Sequence, residues 1–229
     1  MSSELISVGY QLYAYRMEHL ADVAVLIDLV DSRAIPDRAE TQREIERGFA
    51  EADRDAPALQ PPRPTVGDEF QAVYASVPAA LRATLLMRLS LPEGIDCLVG
   101  IGRGAVRVVG SGVAGELQDG PGWWRARAAI DRAHGLEDGQ VPTARGWYIA
   151  SESPGPEEAV VNAYLLLRDA LVGALGSRDR RLVLGSARGV PQRVLAEQEG
   201  ITQSAVSQAL RRAGAGAILS GSRLLEEAC

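Results

Sequence analysis

Lysine is absent from this 229-residue chain, and all 24 basic residues are arginine. That removes the phosphate-binding loop ending in Gly-Lys-Ser/Thr. It also removes Schiff-base chemistry. Lysine avoidance beside abundant Ala, Gly and Arg is also what a GC-rich genome produces. Cysteine is nearly absent; Cys97 and Cys229 make no disulfide framework and have no metal spacing. The two histidines, His19 and His134, are too few for a histidine-rich zinc site. No apolar run reaches the roughly 20 residues that span a bilayer. Met1 to Tyr15 carries neither a basic n-region nor an h-region. A cytoplasmic protein that does not engage membranes is expected. Basic excess is also lacking: the net charge is -6. A surface coated for non-specific nucleic-acid binding is excluded, but one local DNA-reading element is not.

What is present is an ordinary globular composition, 46 % hydrophobic and 24 % charged, enough for one large domain or two small ones. Tyr10, Leu12, Tyr13 and Tyr15 suit an edge strand or a docking arm. Val23 to Ile27 is a short β-branched run and reads as a buried strand. Asp37 and Glu40 resemble a capping box for a helix from about Arg38 to Asp53 that buries Ile45 and Phe49. Pro57, Pro61, Pro62 and Pro64 then argue against regular structure. A second strand is expected over Asp68–Ala75, and Pro78 opens a helix burying Leu81, Leu85 and Leu89. Cys97–Ile101 and Val106–Val109 flank Gly102 and Gly104, which reads as a hairpin. A helix over Trp123–His134 and a strand over Trp147–Ala150 complete an α+β sandwich with helices on one face of the sheet. Trp123 and Trp124 point about 100° apart on a helix; both are expected in the core, the alternative being one in the core and the other over a ligand pocket or dimer contact.

Ser153-Pro154-Gly155-Pro156 divides the chain into residues 1–153, an α+β unit with an N-terminal arm, and 154–229, an all-α unit. Glu157–Leu175 reads as an amphipathic helix with Val160, Tyr164, Leu167, Leu171 and Leu175 on its apolar stripe. The sharpest motif runs from Arg193 to Arg212 and has the arrangement of a helix-turn-helix. Ala196 allows a close helix crossing, Gly200 the tight turn, and Thr202 a cap. Ile201, Val206 and Leu210 fill the space between the helices. Gln203, Ser204, Ser207, Gln208, Arg211 and Arg212 are the candidate contacts to duplex DNA in a major groove. Arg178, Arg180, Arg181 and Arg188 are candidate backbone contacts. A plain αα-hairpin is the alternative. Glu199 stands where such motifs usually bury an apolar residue.

Asp28 closes the first strand and Asp68 opens the second. Antiparallel neighbours bring them together, and with the Leu29 carbonyl they would form an oxygen-rich Mg²⁺ site for a nucleotide triphosphate. The alternative is that one aspartate caps a helix and the other starts a turn.

Val25-Leu-Ile-Asp28-Leu-Val-Asp31-Ser32-Arg33, Gly67-Asp68-Glu69-Phe70-Gln71, Val99-Gly-Ile-Gly102-Arg-Gly104 and Gly122-Trp-Trp-Arg125-Ala-Arg127 together resemble the SatD family of bacterial proteins. Ile201 to Gln208 resembles the helix-turn-helix that ends that family, so the likeness covers roughly Val23 to Arg212. More distantly, the order of these motifs is similar to class III nucleotide cyclases and GGDEF diguanylate cyclases. That likeness implies a ferredoxin-like, nucleotide-cyclase-like sandwich and a homodimer. It makes Asp28 and Asp68 the ligands of Mg²⁺ or Mn²⁺, and Arg125 and Arg127 the phosphate contacts of a bound nucleotide. The purine-selecting lysine is missing, and Trp123 stands where the cyclase helix has asparagine. A ligand-responsive, DNA-binding transcription regulator is therefore expected ahead of a Mg-dependent nucleotidyl cyclase or nucleotidyltransferase.

Overall fold

The computed structural model describes residues 22–30, 38–65, 68–112 and 115–228. The expected N-terminal arm, Asp31 and the capping residue Asp37 lie outside them. Strand β1 (Val23–Val30) is central in a five-stranded sheet of order β2-β3-β1-β4-β7, with β2 (Gln60–Pro64), β3 (Glu69–Tyr74), β4 (Asp96–Arg103) and β7 (Gly146–Ile149). The first four strands pair antiparallel, and β7 lies parallel to β4. Helix α1 (Arg38–Asp55) joins β1 to β2, and α2 (Val77–Ser90) joins β3 to β4. Ser76 caps α2, accepting from the Ala79 N–H at 3.3 Å, and Pro78 sits in its first turn as expected. Helix α3 (Pro121–Glu137) precedes β7.

The sheet is mixed and the protein is α+β, but its helices do not keep to one face. Val23, Val25, Ile27 and Leu29 of β1 share a core with Ile45 and Phe49 of α1 and Leu81 and Leu86 of α2. Ala24 and Leu26 point the other way and pack with Ala126, Ile130 and Ala133 of α3. The continuous apolar run of β1 is the reason: a strand without polar alternation has to be covered on both faces.

Two further expectations fail. The proline segment forms the edge strand β2, because an edge strand has one unpaired side where a missing N–H costs nothing. No hairpin joins Cys97–Ile101 to Val106–Val109. Both sides of β4 are taken by β1 and β7, so β5 (Arg107–Gly112) turns away to pair with β6 (Gly115–Asp119) in a separate two-stranded sheet.

Five helices follow: α4 (Pro156–Gly173), α5 (Ser177–Ala187), α6 (Gln192–Glu199), α7 (Gln203–Arg212) and α8 (Ala215–Ala228). Ser153–Pro156 marks a change from sheet to helices without a gap in packing. Val161 and Leu165 of α4 join the sheet core, while Leu85 and Leu89 of α2 pack with Val172, Leu182, Leu195, Val206 and Ile218. Side chains of α4 also close the β7 edge. Asn162 accepts from the Tyr148 N–H at 2.8 Å and donates to its carbonyl at 2.9 Å, and Glu158 accepts from the Ala150 N–H at 2.9 Å. This turns α4 the opposite way from its apolar stripe. Glu158, Asn162, Arg168 and Asp169 face inward, and Val160, Leu167 and Leu171 face outward.

Candidate nucleic-acid interface and ligand cleft

Helices α5, α6 and α7 form one packed unit through Leu182, Leu195, Ala196, Val206, Ala209 and Leu210. A Cβ on Gly185 would lie 2.4 Å from Leu195 Cδ2, so α5 and α6 cross closely there. Gly200 adopts φ 66° and stops α6, a conformation that other residues rarely hold. Ile201 then donates its N–H to the Ala196 carbonyl at 3.0 Å. Thr202 caps α7, its Oγ1 accepting from the Ala205 N–H at 3.1 Å. Thr202→Ala should lower stability by about 1 kcal/mol, read as a fall in the urea or thermal midpoint.

Gln203, Ser204, Gln208 and Arg211 are exposed along one side of α7, and Ser207 among them is half-buried. Arg211 donates to the Ser207 carbonyl at 3.4 Å. Arg212 is exposed on the α5 side, beside a groove lined by Arg178, Ile201 and Ala205. Glu199 is explained by α5. Arg181 grips it with a two-pronged contact of 2.7 and 2.6 Å, holding its carboxyl below the usual carboxylate range, and Arg178 lies 4.0 Å away. Arg188 is tied to Asp55 at 2.6 Å and Glu51 at 3.6 Å. Three of the four arginines expected to meet a DNA backbone thus have carboxylate partners.

At the other end, Asp28 lies opposite Glu69 in the β1–β3 register, and Asp68 is in the turn just before β3. Partial burial and the Asp68 charge raise the Asp28 carboxyl, against an opposing contact from His134 Nε2 at 3.4 Å. Glu69 is paired with Arg127 at 2.5 Å. The two aspartates are therefore neighbours. No group of three or more His, Cys, Asp or Glu side chains among the described residues converges as ligands. Arg125 and Arg127 are not brought together. Arg125 donates to the Arg103 carbonyl at 2.7 Å, whereas Arg127 reaches Glu69.

Arg127 also lines a cleft of about 400 Å³ with Leu26, Gln71, Gln118, Trp123 and Trp124. Trp123 packs partly into the core, but Trp124 is 62 % exposed and donates to Asp119 at 2.7 Å. Two adjacent helical residues point about 100° apart, so only one of them can face the sheet. Cys97 is no nucleophile; burial pushes its thiol up to about 12.

The most heavily buried polar cluster has no counterpart in the sequence motifs. Arg88 grips Asp96 at 2.7 and 2.9 Å and reaches Asp169 at 3.1 Å. Arg168 holds Asp169 at 3.0 and 2.9 Å, and Arg145 joins through Asp96 and Glu137. The one signal available was an Arg-Asp pair inside an otherwise apolar stretch of α4.

These features define a mixed α+β protein carrying a compact three-helix unit. A model of the SatD family (SatD) matches residues 22–174, and the chain belongs to that family. The match ends before α5, so the three-helix unit lies outside it. No curated protein matches the chain. Among solved structures, the crystal structure of a regulator of polyketide synthase expression from Bifidobacterium adolescentis is similar. It shares 16 % identity, covers 98 % of this chain and 90 % of that one, and superposes with a TM-score of 0.25, too loosely to bear on fold or function. No helix among the described residues is long and apolar enough to cross a membrane.

Proposed function

We propose that this SatD-family chain is a DNA-binding transcription regulator whose N-terminal α+β unit senses a nucleotide. The observation that carries the reading is α7. It is a capped helix, its apolar side is buried against α5 and α6, and its outer side offers Gln203, Ser204, Ser207, Gln208 and Arg211. Uncharged amides and hydroxyls with one arginine are the groups that pair with base edges. The N-terminus of α7 adds donors for a phosphate.

For the sensing end, the strand order β2-β3-β1-β4 with helices after β1 and β3 supports a ferredoxin-like, cyclase-like core. The exposed Trp124 ring offers a stacking surface for a planar base, Gln71 and Gln118 offer edge contacts, and Arg127 offers a phosphate partner. A Mg²⁺ or Mn²⁺ carried in with the nucleotide would take Asp28 and Asp68 as its carboxylate ligands.

Pull-down of genomic fragments followed by gel shifts at low salt tests the DNA reading. Arg211→Ala should weaken binding by about 1–3 kcal/mol, roughly 5- to 150-fold, and Gln203→Ala should relax sequence preference. Absence of any DNA association at low salt would leave α5–α7 a structural bundle. Titration with nucleoside triphosphates, with and without Mg²⁺ or Mn²⁺, tests the sensor. Binding should quench Trp124 and be lost in Arg127→Ala. Turnover abolished by Asp28→Ala and Asp68→Ala would replace the sensor with an enzyme.

A further inference from the structure

We propose that the outer face of α4 is the seam of a homodimer, with the helices of two copies packed antiparallel about Leu167. The proposal stands whether or not α7 reads DNA. Surface helices of monomeric proteins carry charge outward and apolar side chains inward; α4 buries Arg168 and Asp169 beside Val161, Leu165 and Val172 and turns uncharged, partly apolar residues outward. From Ala159 to Ala174, about 24 Å along the axis, its only charged residues are Arg168 and Asp169, and both are buried. The outward residues include Val160, Ala163, Leu167, Ala170 and Ala174, all exposed, with Val160 at 57 % and Leu167 at 70 %. Their spacing alternates three and four residues, the repeat of a two-helix seam. This orientation is not incidental, because Asn162, Glu158, Arg168 and Asp169 fix the rotation of the helix by their bonds to β7 and α2.

The pattern of sizes points to a second copy as the occupant. In an antiparallel pair centred on Leu167, Val160 meets Ala174, and Leu171 meets Ala163. Large faces small on either side of the central Leu167 pair, as interdigitating side chains require. A two-fold contact has to be self-complementary in this way. The charges agree with the same orientation. Glu157, held by Arg103 at 3.1 Å, is exposed in the first turn, and Arg178, 4.0 Å from Glu199, is exposed just past the last. Antiparallel packing sets the acidic end of one copy near the arginine end of the other, while parallel packing would set Glu157 beside Glu157. Antiparallel helix dipoles favour the same choice. Leu224 on α8 is also exposed, one turn beyond Gly221, which packs against the Tyr164 ring of α4.

Sedimentation equilibrium on the full chain at micromolar concentrations tests the seam. The wild type should weigh as a dimer. Leu167→Glu, an outward substitution that leaves the fold intact by circular dichroism, should weaken the dimer at least tenfold and yield monomer. In a Cys229→Ser background, Leu167→Cys should cross-link to itself under mild oxidation, because the two-fold axis brings position 167 against its own copy. A dimer that survives Leu167→Glu, or the absence of self-cross-linking at 167 in a dimer, would place the interface elsewhere and overturn the proposal. A wild-type monomer would also overturn it. If removing residues 1–21 then gave association, those residues cover the strip; if it did not, the strip takes a different protein.

Discussion

Replacing Asp169 with alanine should cost about 3–5 kcal/mol, the range for breaking a buried ion pair from one side. Arg88 and Arg168 are 1 % and 2 % exposed, and burial of an unpaired guanidinium is what makes the loss large. Asp169 is the carboxylate partner of Arg168, and it also holds Arg88 and the Arg145 backbone N–H at 3.0 Å. The variant therefore strands charge between α2, α4 and the segment entering β7. A domain of this size has a total stability of about 5–15 kcal/mol, so urea unfolding should show a midpoint lowered by about a fifth or more. A loss under about 1 kcal/mol would mean that water reaches the cluster. Arg168→Met combined with Asp169→Leu should lie nearer the wild type, because Arg88 keeps Asp96 and no carboxylate is stranded. The cluster also sets an acid limit. Burial alone would raise the Asp96 carboxyl, but the Arg88 contacts outweigh it and hold the group below its ordinary 3.8. A carboxyl with a depressed folded value stabilises the fold above its unfolded value. That contribution is lost as pH falls below about 4 and through the lower folded value. The same urea midpoint measured down a pH series should fall in that window, and less steeply in Asp96→Asn.

Much of the sheet unit was legible because its elements are short and strongly patterned. The unbroken apolar run of β1, the alternation of Phe70, Ala72 and Tyr74, and the Leu81-Leu85-Leu89 stripe each specify their element from local chemistry. What local chemistry does not carry is pairing. β2 looks like a loop because its prolines forbid a central strand, and only its place at the edge permits pairing. The 97–109 segment resembles a hairpin because nothing in it says that β7, more than forty residues later, will take the second side of β4. The α4 stripe misleads for a related reason. Periodicity finds an apolar face but not its direction, and here buried polar bonds outweigh it. At the candidate DNA-reading helix, Thr202 and Gly200 are local signals and were readable. The Arg181 contact that explains Glu199 spans 18 residues of sequence and was not.

The glycines of β4 carry the other large effect. Gly100 and Gly102 alternate with buried residues on the side of the sheet that faces α3. A Cβ at Gly100 would lie 2.1 Å from the Ala126 carbonyl oxygen and 2.7 Å from the Ile130 nitrogen; at Gly102 it would lie 2.2 Å from both the Ala126 nitrogen and the Gly122 carbonyl oxygen. These are main-chain atoms of a helix, so no rotamer change relieves the contact. Helix α3 rests directly on β4, and the Gly-Ile-Gly spacing that resembles a nucleotide motif is what lets it do so. Gly102→Ala must lift the N-terminal half of α3 from the sheet and expose Ala24, Leu26 and Ala126. A loss above about 4 kcal/mol is expected, among the largest for a single added methyl group. Loss of soluble, cooperatively folding protein would be its extreme form. Gly135, further along the same helix, supplies the contrast. It has open space around a Cβ and no positive φ, so Gly135→Ala should stabilise by about 0.5–1 kcal/mol through helix propensity alone. Trp124 and Arg127 ride on the displaced half of α3. Gly102→Ala protein that still folds should therefore lose any nucleotide-induced fluorescence change, while Gly135→Ala keeps it. Equal melting temperatures for the two variants would show that α3 is free to shift on the sheet, contrary to the close backbone contact at Gly100 and Gly102.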